Sequence, residues 1–122
     1  MTRHKKILII DDDMIALDIV DLLFEEHGFE VIRSSDGCRA ISAIDDTAPD
    51  IVLVDLMMPK MSGQECIQAL RAKGLNVPIV AFTAIDDPEV HADVETLGGS
   101  LVLTKPCKPS LLLKEVEALL DA

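Results

Sequence analysis

Five short apolar runs, most rich in β-branched residues, recur along the chain: ILII from Ile7, FEVI from Phe29, IVLV from Ile51, PIVAF from Pro78 and LVL from Leu101. Runs of four to five such residues fit buried strands, while the segments between them carry apolar residues at helical spacing. The first helical segment, Met14 to Glu26, closes on His27 and Gly28, a cation-capable residue followed by a C-terminal stop. A second follows SSDG and covers about residues 38–45. The third opens on Ser62-Gly63-Gln64-Glu65, the spacing of a capping box, and turns Cys66, Ile67 and Leu70 to one face. Asp87-Pro88 starts the fourth and Gly98-Gly99 ends it. Pro109 starts the fifth, with Leu112, Val116 and Leu119 or Leu120 as its buried stripe.

Strict alternation of this kind predicts a doubly wound α/β fold, (βα)5, with a five-stranded parallel sheet covered by helices on both faces. The 122 residues suit one domain, 1–122, and there is no low-complexity segment, linker or repeat beyond the βα unit. Right-handed crossovers place the C-terminal ends of all five strands along one sheet edge, where open α/β sheets bind ligands. The first polar residues after each run therefore meet there: Asp11, Asp12 and Asp13, then Ser34 and Ser35, then Asp55, Thr83 and Lys105.

Asp55 is the demanding member of this set. It ends an apolar run, has apolar residues on both sides and no Lys or Arg within four positions, so its charge needs compensation from elsewhere in the fold. Asp11 and Asp12 only add to the repulsion. A hard divalent cation relieves it, and oxygen-only ligation with few protein ligands suits Mg²⁺ best, with Mn²⁺ or Ca²⁺ as substitutes. Such an ion usually completes its shell with phosphate oxygens, and the Lys105 ammonium and Thr83 hydroxyl suit the same partner. The edge is built to hold a phosphoryl group beside a carboxylate. Taken alone, DDD reads as a solvated turn and helix cap, a role Asp13 keeps. Thr83, taken alone, reads as an ordinary strand-end hydroxyl and Lys105 as an ordinary surface lysine.

Composition narrows the function classes. A formal charge of −11 opposes direct binding of a nucleic-acid backbone, and 2% aromatic residues, with no Trp or Tyr, leave no platform for stacking bases. Cys38, Cys66 and Cys107 are odd in number and lack a C-x-x-C pair, so they suggest neither a zinc site nor a disulfide framework and point to a reducing, cytoplasmic compartment. No segment has transmembrane length, and the apolar run after the basic start is too short for a signal peptide. Neither phosphate-loop glycine motif is present, which excludes a nucleotide-binding reading.

ILIIDDD, IVLVDLMMPKMSG, PIVAFTA and LVLTKP together resemble the four signature segments of the receiver domains of bacterial two-component response regulators, in order and at matching spacing over essentially the whole chain. The resemblance implies the flavodoxin-like strand order 2-1-3-4-5 and assigns roles by position. Asp11 and Asp12 bind Mg²⁺, with Asp12 the direct ligand, and Asp55 is the phosphoacceptor and a further ligand. Met57 gives the metal its backbone carbonyl, Thr83 bonds the phosphoryl oxygen, and Lys105 pairs with both the phosphoryl group and the acceptor. It also implies a cis Lys105-Pro106 bond. The donor is then a phosphohistidine on a sensor histidine kinase or a histidine phosphotransfer protein, and the chain is a signalling phosphoacceptor rather than an enzyme.

Three departures or tuning positions stand out. Val102 replaces the Tyr or Phe whose rotation reports phosphorylation in many receivers. Met57 and Ile85, at the positions that tune water access to the acyl phosphate, are both apolar, which predicts slow self-dephosphorylation. Two rivals share some of these residues. A phosphatase of the haloacid dehalogenase type also uses an aspartyl nucleophile, Mg²⁺, a hydroxyl and a lysine, but its second acidic cluster follows the lysine, and here nothing acidic follows Lys105 until Glu115. A non-phosphorylated receiver-like interaction module would not need all five functional positions intact. The kinase, the output partner, a role for homodimerisation, and whether the domain stands alone or within a longer protein stay open.

Overall fold

The computed structural model describes residues 4–121; residues 1–3 and 122, the ends of the expected 1–122 span, lie outside them. The element order is β1 (Lys6–Ile10), α1 (Met14–Glu26), β2 (Glu30–Ser34), α2 (Gly37–Ser42), α3 (Ile44–Thr47), β3 (Ile51–Asp55), α4 (Gly63–Ala72), β4 (Ile79–Thr83), α5 (Pro88–Thr96), β5 (Leu101–Thr104) and α6 (Pro109–Asp121). The five strands form one parallel sheet in the order β2-β1-β3-β4-β5, the expected doubly wound topology, with a switch point between β1 and β3.

The two-residue period of the strands sorts their side chains into two cores. Ile7, Ile9, Ile51, Leu53, Val80 and Phe82 face Leu17 and Phe24 of α1 and Leu112 and Val116 of α6. Leu8, Ile10, Val52, Val54, Ile79 and Ala81 face the other helices, through Ala40, Ile44, Cys66, Ile67, Leu70 and Val94. Continuous apolar strands are what a sheet covered on both faces requires.

Most helix ends follow the sequence signals. Asp13 caps α1 by accepting from the N–H groups of Ile15 and Ala16, at 3.0 and 3.3 Å. His27 closes that helix with an Nδ1–H bond to the Leu23 carbonyl, and Gly28 takes φ +84°. Ser62 and Glu65 form the expected capping box on α4, and Asp87 caps α5 ahead of Pro88. The second helical segment differs. It is two short helices, α2 and α3, joined at Ala43, rather than one over residues 38–45. The Ser42 hydroxyl donates to the Cys38 carbonyl one turn back, a bond that bends helices, and α3 has no side-chain cap. Ala48, at φ 44°, ends it before Pro49.

Strand boundaries also shift slightly. β2 begins at Glu30 rather than Phe29, and β4 at Ile79 rather than Pro78, because proline offers no N–H to a ladder. Among the described residues no helix is long and apolar enough to cross a membrane.

Candidate functional site

Asp11 follows β1 directly and Asp55 is the last residue of β3; the two strands are neighbours in the sheet. One carboxylate oxygen each from Asp11, Asp12 and Asp55 lies within 4.8 Å of the others. Asp12 is exposed, while Asp11 and Asp55 are buried, at 6% and 8%. Three carboxylates this close, with one open to solvent, are a donor set for a hard divalent cation that keeps some of its water.

Lys105 is the cation present. Its Nζ stands 3.1 Å from Asp11 Oδ2 and 3.7 Å from Asp55 Oδ2, and the Lys105-Pro106 bond beside it is cis. One ammonium paired with two of the three acids leaves the cluster with excess negative charge. Asp11 is further engaged, because its Oδ1 accepts the Asp13 N–H at 2.9 Å. Asp55 Oδ1 accepts the Met57 N–H at 3.1 Å. Burial holds the Asp55 carboxyl above its ordinary range, and Asp11 pushes it the same way; the Met57 N–H and Lys105 oppose them.

Thr83 ends β4 fully buried, one residue beyond Phe82, the register partner of Asp55. Its Oγ1 accepts the Ile85 N–H at 3.1 Å, so the hydroxyl lies at the expected edge but is bonded to its own loop rather than to the acid cluster. Met57 and Ile85 are exposed beside the site, at 56% and 41%. Val102, at the position of the expected aromatic rotor, is half-buried in β5 against the core that holds Val94. The Ser34 carbonyl accepts the Asp11 N–H at 3.0 Å and Ser35 lines a cleft with Asp12, but the Ser34 hydroxyl is turned to the Asp36 carbonyl at 2.8 Å in the turn before α2.

Sequence reasoning missed two contributors. Phe82 places its ring under the Lys105 ammonium, 5.1 Å from the centroid, which holds the lysine by cation–π attraction in a partly desolvated site. The signal was available, since residues 80 and 82 share a strand face and that face continues toward Asp55. Gly63 is the second. A Cβ there would stand 2.5 Å from the Asp55 carbonyl oxygen and 2.5 Å from Leu56 Cα, so only glycine lets the first turn of α4 press on the end of β3. The Gly63 N–H donates to the Leu56 carbonyl at 3.0 Å, fixing that approach.

Comparison with known proteins places this geometry in a family. The chain is 33% identical to the alkaline phosphatase synthesis transcriptional regulatory protein PhoP of Bacillus subtilis over 117 residues, 96% of this chain and 49% of that protein. It is 36% identical to the DNA-binding response regulator MtrA of Mycobacterium bovis over 118 residues, 96% of this chain and 51% of that protein. The chain thus spans about half the length of these curated relatives. Among solved structures, the chemotaxis protein CheY4 of Vibrio cholerae superposes with a TM-score of 0.92 at 28% identity, covering 96% of this chain and 99% of that one. The BeF3-activated N-terminal receiver domain of RstA from Klebsiella pneumoniae gives 0.91 at 28% identity, covering 97% of this chain and all of that one. The family model described as the response regulator receiver domain matches residues 7–117. The chain belongs to the response regulator receiver domain family.

Proposed function

We propose that Asp55 accepts a phosphoryl group from a phosphohistidine on a sensor histidine kinase or a histidine phosphotransfer protein, with Asp11, Asp12, Asp55 and the Met57 carbonyl holding a Mg²⁺ ion. The observation that carries this reading is the packing of three carboxylates within 4.8 Å of one another, two of them paired with the Lys105 ammonium. Mn²⁺ fits the same donors. Bound there, the cation would neutralise the acids and draw negative charge from phosphoryl oxygens.

The chain's own residues supply the rest. An Asp55 carboxylate oxygen attacks phosphorus in line; a new O–P bond forms, the N–P bond of the phosphohistidine breaks, and its electron pair returns to the imidazole. Lys105, already between Asp11 and Asp55, pairs with the incoming charge. The Phe82 ring keeps its ammonium over the site. Thr83 accepts one bond from Ile85 N, which leaves its own proton to donate to a phosphoryl oxygen. The added charge draws Thr83 toward Asp55 and biases the surface of α5, β5 and α6, where Val102 offers no rotating ring. Met57 and Ile85 leave no polar side chain to orient an attacking water, which supports slow self-dephosphorylation; a lifetime as short as minutes would contradict it.

A phosphatase with Asp11 as nucleophile is disfavoured, because the second acidic cluster it needs after the lysine is missing: nothing acidic follows Lys105 until Glu115. The test is labelling by radiolabelled acetyl phosphate in magnesium buffer. The wild type should take up label and Asp55→Asn should not. Equal labelling of the two would overturn the assignment.

A further inference from the structure

We propose that Cys38 and Cys66 form a reversible disulfide when the protein meets a peroxide, so that oxidation ties α2 to α4 beside the acidic site. The three described cysteines are free thiols, and α2, which carries Cys38, packs against α4, which carries Cys66. A Cβ on Gly37 would stand 3.6 Å from Cys66 Sγ, which fixes the start of α2 against the first turns of α4. Four residues on, the Ile41 carbonyl accepts from Lys73 Nζ at 2.9 Å, so the two helices run side by side. Cys38 follows Gly37 directly, so the close Gly37–Cys66 approach brings its backbone to the same contact.

The two thiols also sense each other electrostatically. Burial pushes the Cys66 thiol up to about 11, and the neighbouring Cys38 adds to the shift. Cys66 is fully buried and Cys38 exposed, which divides the roles. The exposed thiol meets the oxidant and the buried one resolves it. In the first step the Cys38 thiolate attacks a peroxide oxygen. The O–O bond breaks, one oxygen leaves as water after protonation, and Cys38 becomes a sulfenic acid. In the second, the Cys66 sulfur attacks that sulfur; the S–S bond forms, the S–O bond breaks, and the hydroxyl leaves as water with the Cys66 proton. The two thiols lose two electrons and the peroxide gains them.

The contact is suited to the small movement this needs. α2 is six residues long, is followed by the break at Ala43, and buries only Gly37 and Ala40. Met58 and Met61 fill the space beside Cys66 with flexible side chains, at 3.7 and 3.3 Å from the same Gly37 position. Those two methionines join Asp12, Asp36 and Gly37 around a cleft next to the acid cluster. A bridge here therefore stiffens one wall of the candidate site.

The test is treatment of the full chain with hydrogen peroxide, followed by thiol blocking, proteolysis without reductant and mass spectrometry. The expected result is a Cys38–Cys66 cross-linked peptide, two hydrogens lighter than its parts and cleaved by dithiothreitol, with Cys107 still alkylated. The oxidised protein should also melt several degrees higher, and Cys38→Ser, at an exposed position that leaves the core intact, should lose both effects. Over-oxidised Cys38, or chains joined through Cys38, with Cys66 still a thiol would overturn the proposal, as would a peroxide-treated protein with all three thiols intact.

Discussion

Replacing Gly63 by alanine opposes two effects that are ordinarily confused. At an unremarkable helical position this change is favourable, because alanine exceeds glycine in helix propensity by about 1 kcal/mol. At residue 63 the added methyl would lie 2.5 Å from the Asp55 carbonyl oxygen, 2.5 Å from Leu56 Cα and 2.8 Å from Leu56 Cδ2. Two of those three atoms are backbone in or next to a buried strand, so they cannot rotate away. Relief requires α4 to retreat from β3 by most of an ångström, which loosens Ile67 and Leu70 in the core and stretches the Gly63 N–H bond to Leu56. Overpacking of a tight core costs about 1–3 kcal/mol, and a backbone obstacle belongs at the upper end, so the net loss is about 2 kcal/mol after the propensity gain. In urea unfolding that moves the midpoint down by about 1 M. A midpoint equal to or above wild type would refute the claim that the helix is pressed onto the strand end, and with it the idea that Gly63 sets the position of Asp55.

Three more outcomes follow from the same geometry. Asp55 titrates above its ordinary 3.8 in the folded protein, so the folded state binds its proton more readily than the unfolded chain does, and stability falls as pH rises from that value through the folded pKa. In metal-free buffer at pH 7, Asp55→Asn should therefore raise the melting temperature, the gain should shrink below pH 4, and Mg²⁺ should stabilise wild type more than the variant; a variant less stable than wild type at pH 7 would contradict this. Arg71 donates to the carbonyls of Gly98, Leu75 and Val77 at 3.0, 2.8 and 2.7 Å, tying the end of α4 to the approaches of β4 and β5. Arg71→Ala should cost about 2–4 kcal/mol in denaturant unfolding, with Arg71→Lys recovering less than half, since an ammonium cannot span three acceptors. Phe82→Leu should slow labelling by acetyl phosphate about two- to fivefold, and Phe82→Tyr should restore it, because the ring face rather than the bulk steadies Lys105.

How far the sequence carries depends on which interactions fix each feature. β3 and β4 were legible because burial on both faces demands unbroken apolar runs, and Asp55 was legible as the charge that breaks one. Chain order and crossover handedness then bring Asp11, Asp12 and Lys105 to the same edge with no further information. The divided helix at Ala43 was not legible, since it depends on a Ser42 hydroxyl choosing the Cys38 carbonyl over solvent. Nor was the side-chain state of Thr83: position at a strand end is written in the pattern, but its bond to Ile85 is settled by the local turn. The strand pattern puts Phe82 on the face that leads to Asp55, but its contact with Lys105 joins residues 23 apart in sequence and is set by the packing of the loop after β5.

The central claim is that the acid ending β3 forms the covalent bond to phosphorus. After reaction with acetyl phosphate and Mg²⁺, borohydride reduction converts the modified aspartate to homoserine, and peptide sequencing by mass spectrometry locates it. The account predicts homoserine at residue 55 and nowhere else; homoserine at residue 11, or aspartate retained at 55 in a fully labelled sample, would contradict it.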